Sequence, residues 1–335
     1  MMKKRIDWID VAKGVSIILV IIGHSIKYNS EVYRFILSFH MPLFVILSGI
    51  TYKPPKDKEK IKSNIKKYVK QLLVPYLITL LIITIGQQFK NYNSISLAVF
   101  LEQLVENLFW GNGLNYSLLG HTFKSVGPIW FLITLFISKI LFDILNYKLK
   151  GQKLETNIVI YSFCAFAAIK IGHIIWLPLN LDLVLIFLFY LYVGFLIKKY
   201  EKILKKYNIV IFLLSFAIWG ICLGLNLNIE LAYRLYPVDI LSVIESLCAS
   251  YCVIELCKAI SQSKMLNKLL SNIGKISLII LCIHSIDMEG IDIWHLNINS
   301  YIFAVIRVIT TLLISFAFIF IKNKILCLKP FRKQA

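Results

Sequence analysis

Acidic residues are scarce in this chain. Eighteen Asp and Glu stand against 37 Lys and Arg, and charged residues of all kinds make up only 16% of the 335 positions. A soluble domain carries nearer a quarter charged residues, so a soluble globular fold is excluded. The apolar residues, 58% of the chain, gather in blocks of about 16 to 22, the length that crosses about 30 Å of hydrocarbon as helix. No small-residue cleavage site follows the first block, which is therefore expected to remain as a helix and not to leave as a signal peptide. No repeat, low-complexity tract or soluble-domain stretch interrupts the blocks. One membrane-embedded domain over residues 1–335 is expected, with its chemistry inside the bundle or at its mouths. Cys164, Cys222, Cys248, Cys252, Cys257, Cys282 and Cys327 are scattered, with no histidine or carboxylate at metal spacing around them. Core packing is their expected role.

A net charge of +19 would suit nucleic acid, but its placement points elsewhere. The lysines cluster between apolar blocks, as the positive-inside rule requires of cytoplasmic loops. The blocks fall at 11–27, 32–52, 71–86, 127–145, 157–174, 181–197, 208–225, 237–257, 275–288 and 301–321. Basic loops follow alternate blocks: Lys53 to Lys70, then Lys148 to Lys153, Lys198 to Lys206, Lys258 to Lys275, and the tail with Lys322, Lys324, Lys329, Arg332 and Lys333. Met1 to Arg5 is basic as well. The pattern predicts an all-α polytopic membrane bundle of ten transmembrane helices, with both termini cytoplasmic. One long external segment, Gln87 to Ser125, contains an amphipathic stretch over Ile95–Trp110 that suits a lid, an interfacial helix or a plain connection.

Against this apolar background a few polar side chains stand out, because an ionisable group in hydrocarbon costs several kcal/mol and marks function by default. Lys13 and His24 lie eleven residues apart on the first block, close to three helical turns and about 16 Å along one face. His40 sits on the second block and His284 on the ninth. Counted from the predicted helix ends, the three imidazoles reach similar depths. Neutral imidazole suits general-base chemistry near neutral pH. A single intramembrane histidine also serves as a helix-to-helix hydrogen-bonding group, and metal binding by the three is a competing reading. No two share an i, i+4 face, and no intramembrane carboxylate completes a ligand set. Asp10, three residues before Lys13, makes an intrahelical ion pair one reading of that lysine. The other is a cation that meets an anionic donor entering from the cytoplasm. Lys66, Lys67 and Lys70 lead into Val74-Pro75-Tyr76 at the same face, and with Lys13 they would form a phosphate-attracting mouth. The fourth block opens with Gly127-Pro128-Ile129-Trp130-Phe131-Leu132, where Pro and Trp suit a helix start at an interface and Trp130 is also placed to line a cavity.

In this order these motifs resemble the acyltransferase-3 family of integral membrane acyltransferases, especially its sugar O-acetylase branch. The resemblance rests on Lys13 to His24 with Asp10 before and Gly14 after, and on Phe39-His40-Met41-Pro42-Leu43-Phe44 with Ser48-Gly49. It continues through Lys67 and Lys70 before Pro75-Tyr76, Gly127-Pro128-Ile129-Trp130, and Ile273-Gly274 to His284. It implies a cytoplasmic acetyl-CoA donor used as a co-substrate, with no permanently bound cofactor and no metal. It also implies an acceptor hydroxyl on a cell-surface or lipid-linked sugar, and a place in the plasma membrane with no nucleic-acid partner. His24 maps onto the family's catalytic histidine, with His40 and His284 as further candidates to orient it, stabilise the oxyanion or touch the sugar. Lys13, Lys67, Lys70 and Tyr76 are the donor-binding candidates; Asp10, Ser48 and Trp130 are supporting ones. Two departures stand out. Lysine replaces the arginine of many members, so point-charge attraction replaces bidentate phosphate recognition. No appended extracytoplasmic esterase domain is expected, so acetyl would be delivered by the membrane domain itself. A transporter or flippase for a glycan or its lipid-linked precursor is the rival from another class.

Overall fold

Ser30, Asp57 and Ser96 each start a helix by the same device. Their side-chain oxygens accept hydrogen bonds from the backbone N–H of Tyr33, Lys60 and Val99, satisfying donors that a helix start leaves open. The computed structural model describes residues 6–90, 96–291 and 298–328. Its elements in chain order are α1 (Asp7–Gly23), α2 (Glu31–Leu37), α3 (His40–Ile50), α4 (Lys58–Tyr68), α5 (Val74–Lys90), α6 (Leu97–Trp110), a hairpin of β1 (Tyr116–Leu118) and β2 (His121–Phe123), and α7 (Trp130–Lys148). There follow α8 (Leu154–Ile174), α9 (Leu181–Lys199), α10 (Glu201–Lys206), α11 (Asn208–Gly224), α12 (Ile240–Ile260), α13 (Lys264–Lys275), α14 (Ser277–Ser285) and α15 (Ser300–Leu328). Short π-helical turns at Val69–Leu73 and Ile286–Ile291 extend α4 into α5 and α14 outward. The hairpin turns at Leu119-Gly120, both at positive φ, as a two-residue turn between antiparallel strands requires.

The all-α membrane bundle is borne out, but the count of ten crossings is not reached. Among the described residues seven helices are long and apolar enough to cross, and eight if α13 and the run after it form one span bent by 57°. Helix α11 is apolar but only 17 residues long. Helix α1 is also 17 residues and carries Asp7, Asp10 and Lys13. Both fall short because the sequence places polar residues at their ends. The second block is a broken span, α2 followed by α3, and the amphipathic external stretch is α6. The basic segment Met1 to Arg5, residue Ile95, and the tail residues Lys329, Arg332 and Lys333 lie outside the described residues.

In hydrocarbon no hydrophobic force draws helices together, so close backbone packing must do it. Three glycine pairs supply it: Gly14 with Gly274, Gly49 with Gly194, and Gly86 with Gly290. The first is the tightest. A Cβ on Gly274 would come within 1.8 Å of the Asp10 carbonyl oxygen, and one on Gly14 within 2.1 Å of the Leu270 oxygen. These contacts pack α1 along α13, α3 along α9, and α5 against the turn that follows α14. Around them Ile17, Ile21, Leu43, Ile46, Leu47, Phe142, Phe187 and Tyr190 form a continuous buried core. Among the described cysteines none is in a disulfide, and Cys252 and Cys257 are buried in that core.

Candidate functional site

Because α1 is unbroken to Gly23 and His24 caps it, Lys13 and His24 keep the helical separation of about 16 Å that their spacing implies. The Gly14–Gly274 crossing then sets α13 and its continuation α14 beside α1. Two turns along α14 from its start comes His284, whose ring centroid lies 5.6 Å from that of His24 with the rings tilted by 42°. The two imidazoles differ in access. The His24 side chain is exposed. His284 is wholly buried, and neither ring nitrogen has a hydrogen-bond partner among the described residues.

His40 opens α3 and is buried. Its Nδ1 lies 3.1 Å from the Ile36 carbonyl oxygen, which can only accept, so Nδ1 carries the proton and Nε2 is the basic nitrogen. His40 and Arg307 are both within electrostatic range of His24, and Arg307 also of His284. Arg307 is buried; its Nε donates to Asp287 Oδ2 at 2.6 Å, and its guanidinium lies over the Phe303 ring at 5.4 Å. The sequence does carry a signal for this pair, an arginine inside the last apolar block and an aspartate at the end of the ninth. Only tertiary packing joins them.

From the other end a cavity of 840 Å³ reaches toward this group. Lys13, Lys67, Lys70, Lys139, Lys275 and Lys322 line it, and among the described residues no Asp or Glu does. Lys67, Lys70, Lys275 and Lys322 are exposed at the mouth, whereas Lys13 and Lys139 are partly buried. Inward the wall becomes apolar through Ile17, Val20, Phe44, Phe131 and Leu135. Val20 is the inner limit on α1, and its carbonyl accepts the backbone hydrogen bond of His24. The cavity thus ends one helical turn from the exposed imidazole. Six basic side chains without a carboxylate in the lining create a field that concentrates anions, and low-dielectric walls strengthen it.

The structure brings most of the expected residues together and leaves others out. Lys13, Lys67, Lys70 and Ser48 line the cavity. Tyr76 does not: it is buried on the far side of α5, where its hydroxyl donates to the Asn107 carbonyl at 3.4 Å. Trp130 is buried against Gly113 and Phe187 and packs the bundle. Asp10 is buried at the α1–α13 crossing, where its carbonyl meets Gly274. The three histidines do not gather as a metal-ligand set among the described residues. Lys139 was missed. A single lysine inside the fourth apolar block was the available signal, but only the fold shows that it faces Lys13 and Lys67.

Beyond the histidines a polar network closes the other end. Gln103 Nε2 donates to Gln87 Oε1 at 2.6 Å, Asn107 Nδ2 to Thr84 at 2.9 Å, and Ser125 Oγ to Glu289 Oε1 at 3.1 Å. The Gly127 backbone, at φ +62, packs directly on the Glu289 side chain, where a Cβ would meet Cγ at 2.6 Å. That contact gives the glycine of the Gly-Pro-Ile-Trp motif its reason.

Comparison with known proteins identifies this architecture. The acyltransferase-domain family matches residues 6–320. Nodulation protein NolL of Mesorhizobium japonicum is 30% identical over 147 residues, which cover 41% of this chain and 35% of that relative. No solved structure matches. With a family match running over nearly the whole helical bundle, and with the three histidines and most of the basic cavity inside the matched region, the chain belongs to the acyltransferase-3 family.

Proposed function

We propose that the protein transfers an acetyl group from cytoplasmic acetyl-CoA to a hydroxyl of a cell-surface or lipid-linked sugar. In this reading it sits in the plasma membrane with its lysine-lined mouth toward the cytoplasm. The observation that carries the proposal is the cavity itself, lined by six lysines with no carboxylate in its described lining and ending one turn from His24. An extended donor with phosphates at one end and a thioester at the other fits such a channel: cations at the mouth, an apolar throat, an imidazole at its end.

Nε2 or Nδ1 of His24 accepts the proton of the acceptor hydroxyl. The alcohol oxygen attacks the thioester carbonyl, the C–S bond breaks, and the CoA thiolate leaves and takes up the proton held by His24. Atoms and charge balance without a metal or a redox partner, because a thiolate is already a good leaving group. His284, buried behind His24, positions its ring. His40 and the Arg307 guanidinium are within electrostatic range of His24, so both are candidates to stabilise the negative charge that develops on the carbonyl oxygen.

The test uses purified full-length protein in nonionic detergent with acetyl-CoA and isolated surface glycan from a deletion strain. Free CoA thiol and ester-linked acetyl should appear together with the wild-type protein and not with His24→Ala. A wild-type protein that moves glycan across a bilayer without releasing CoA would overturn the proposal in favour of transport.

A further inference from the structure

Past the end of α1 that lies away from Lys13 stands a group of aromatic side chains that the transfer chemistry does not use. Tyr28 follows His24 by four residues, so the chain keeps it within about 14 Å of that histidine. Its ring centroid is 5.1 Å from that of Tyr33 and 5.6 Å from that of Tyr233, tilted against them by 60° and 47°. Tyr33 belongs to α2, and Tyr233 to the connection between α11 and α12. Glu230 sits among the three rings. Its Oε1 accepts from the Tyr33 hydroxyl at 2.6 Å, and it lies within electrostatic range of Tyr28 and Tyr233. Both halves of the group are held in place. Paired backbone hydrogen bonds between Glu230 and Leu235, at 3.1 and 3.0 Å, close the turn that carries Tyr233. Arg234 anchors that turn on Asp182 and Asn180. On the other half, Arg34 Nη1 donates to the Asn29 carbonyl at 2.9 Å, and Ser30 caps α2. Tyr28 is 53% exposed, so its ring is open to a ligand, whereas Glu230 is buried at 7%.

Tyrosine is common where a membrane meets water, but a belt tyrosine meets headgroups on its own. Here Tyr28 bridges two rings that share a carboxylate. An aromatic face with hydroxyls at its rim suits a sugar, whose C–H face stacks on ring carbon while its hydroxyls bond at the edge. A carboxylate accepts such hydroxyls more strongly than a neutral group does. Parts held before binding add little ordering cost. We infer that Tyr28, Tyr33, Tyr233 and Glu230 form a sugar subsite, which holds a neutral pyranose unit of the acceptor glycan while a neighbouring hydroxyl reaches His24. This rests on the sugar-acceptor reading above and deepens it. Donor and acceptor would approach His24 from opposite ends of α1, one past Lys13 and the other past Tyr28. A sugar with its own carboxylate would set like charges side by side, so acidic units are disfavoured. Polymeric and lipid-linked glycans present the same unit, so the test separates the two.

Initial rates of acetyl transfer are measured on the full-length protein in lipid nanodiscs, because alkyl-glycoside detergents carry a sugar headgroup of their own. The probes are neutral fragments of the surface glycan and the lipid-linked sugar fraction, both from a deletion strain. Tyr28→Ala should raise KM for one of these by about three- to tenfold, with KM for acetyl-CoA and the melting temperature unchanged. Tyr28→Phe, which keeps the ring, should restore most of the loss, and Glu230→Gln should raise the same KM. The fraction whose KM depends on Tyr28 is the source of the acceptor. Unchanged KM for both fractions in Tyr28→Ala overturns the subsite and leaves the transfer reading intact. A Tyr28→Ala protein that melts lower with both KM values unchanged makes the cluster an interfacial support, and overturns it as well. A wild-type protein that acetylates neither fraction and releases no CoA overturns the subsite and the transfer reading together.

Discussion

The two ends of this bundle handle buried charge in opposite ways. At the end beyond the histidines, charges are matched inside the protein. Arg234 is buried with its Nε donating to Asp182 Oδ2 at 2.9 Å, its Nη2 to Asn180 Oδ1 at 2.7 Å, and its guanidinium 4.2 Å over the Trp176 ring. Arg307 is matched by Asp287, and Glu230 accepts from the Tyr33 hydroxyl at 2.6 Å. At the other end lysines face one another across a cavity whose described lining holds no carboxylate. The matched end is locked, since removing either partner strands a charge without solvent. The lysine end instead gathers positive charge on one cavity, a field that suits a negatively charged ligand.

The sharpest test lies where the two regions meet. His24→Ala should lower acetyl transfer by about 10²–10⁴-fold while the protein still binds CoA, measured by initial rates beside calorimetry. Loss of both at once would mean that the histidine holds the fold together. Next in size is the locked end. Arg234→Ala leaves Asp182 buried without its partner, and thermal melting in detergent should show a loss of about 3–5 kcal/mol. Arg234→Lys should recover little of it, because a single ammonium does not replace the fork that reaches both Asp182 and Asn180. If Arg234→Ala melts like wild type and instead weakens CoA binding, the division between the two ends is wrong.

Between the ends, Gly274→Ala forces a methyl group toward the Asp10 carbonyl. The expected cost is about 1–3 kcal/mol of overpacking, and transfer should fall because α1 carries both Lys13 and His24. Asp143→Ala removes the acceptor that ties Asn64 and Tyr68 of α4 to α7. The Lys67–Lys70 arm is then held less firmly, so KM for acetyl-CoA should rise several-fold with kcat little changed. The smallest effect concerns pH. Burial pushes the Glu230 carboxyl up to about 7, against the hydrogen bond from Tyr33, which pulls it down. Its folded value lies above the ordinary carboxylate value, so the folded state holds an extra proton between those two pH values. Stability therefore falls as pH rises through that window. Melting curves from about pH 5 to 8 should show a decline that Glu230→Gln flattens.

Much of the site was legible in the linear chain because an ionisable residue among apolar ones advertises itself. Lys13, His24, His40 and His284 are visible in this way, and the eleven-residue spacing of the first two survives because one unbroken helix carries both. The motif residues were harder to assign. Trp130 and Tyr76 stand close in sequence to cavity residues, yet both point away from the cavity. Helical position fixes depth, whereas the facing of a side chain depends on neighbours far along the chain. Lys139 shows the reverse: it is a single lysine in an apolar run, and nothing local says that Lys13 and Lys67 will meet it. The count of crossings suffered for a related reason. Hydropathy registers apolar length, and the bent α13–α14 pair and the polar-ended α1 and α11 divide that length in ways that packing decides.

By itself the sequence determined that this protein is a helical membrane bundle, because long apolar runs must satisfy their backbone within each segment once in lipid. It also determined the ladder from lysine to histidine on α1, since 1.5 Å per residue allows no other distance along a helix. Tertiary structure alone decided the rest. Glycine pairs let α1 and α13 close to backbone contact, and that approach puts His284 behind His24. The joining of separate helices around one cavity turns six lysines, dispersed from Lys13 to Lys322, into a single anion-attracting lining. A chain can specify which residues it carries and how they are spaced along each helix; which of them share a chamber follows only from how the helices pack.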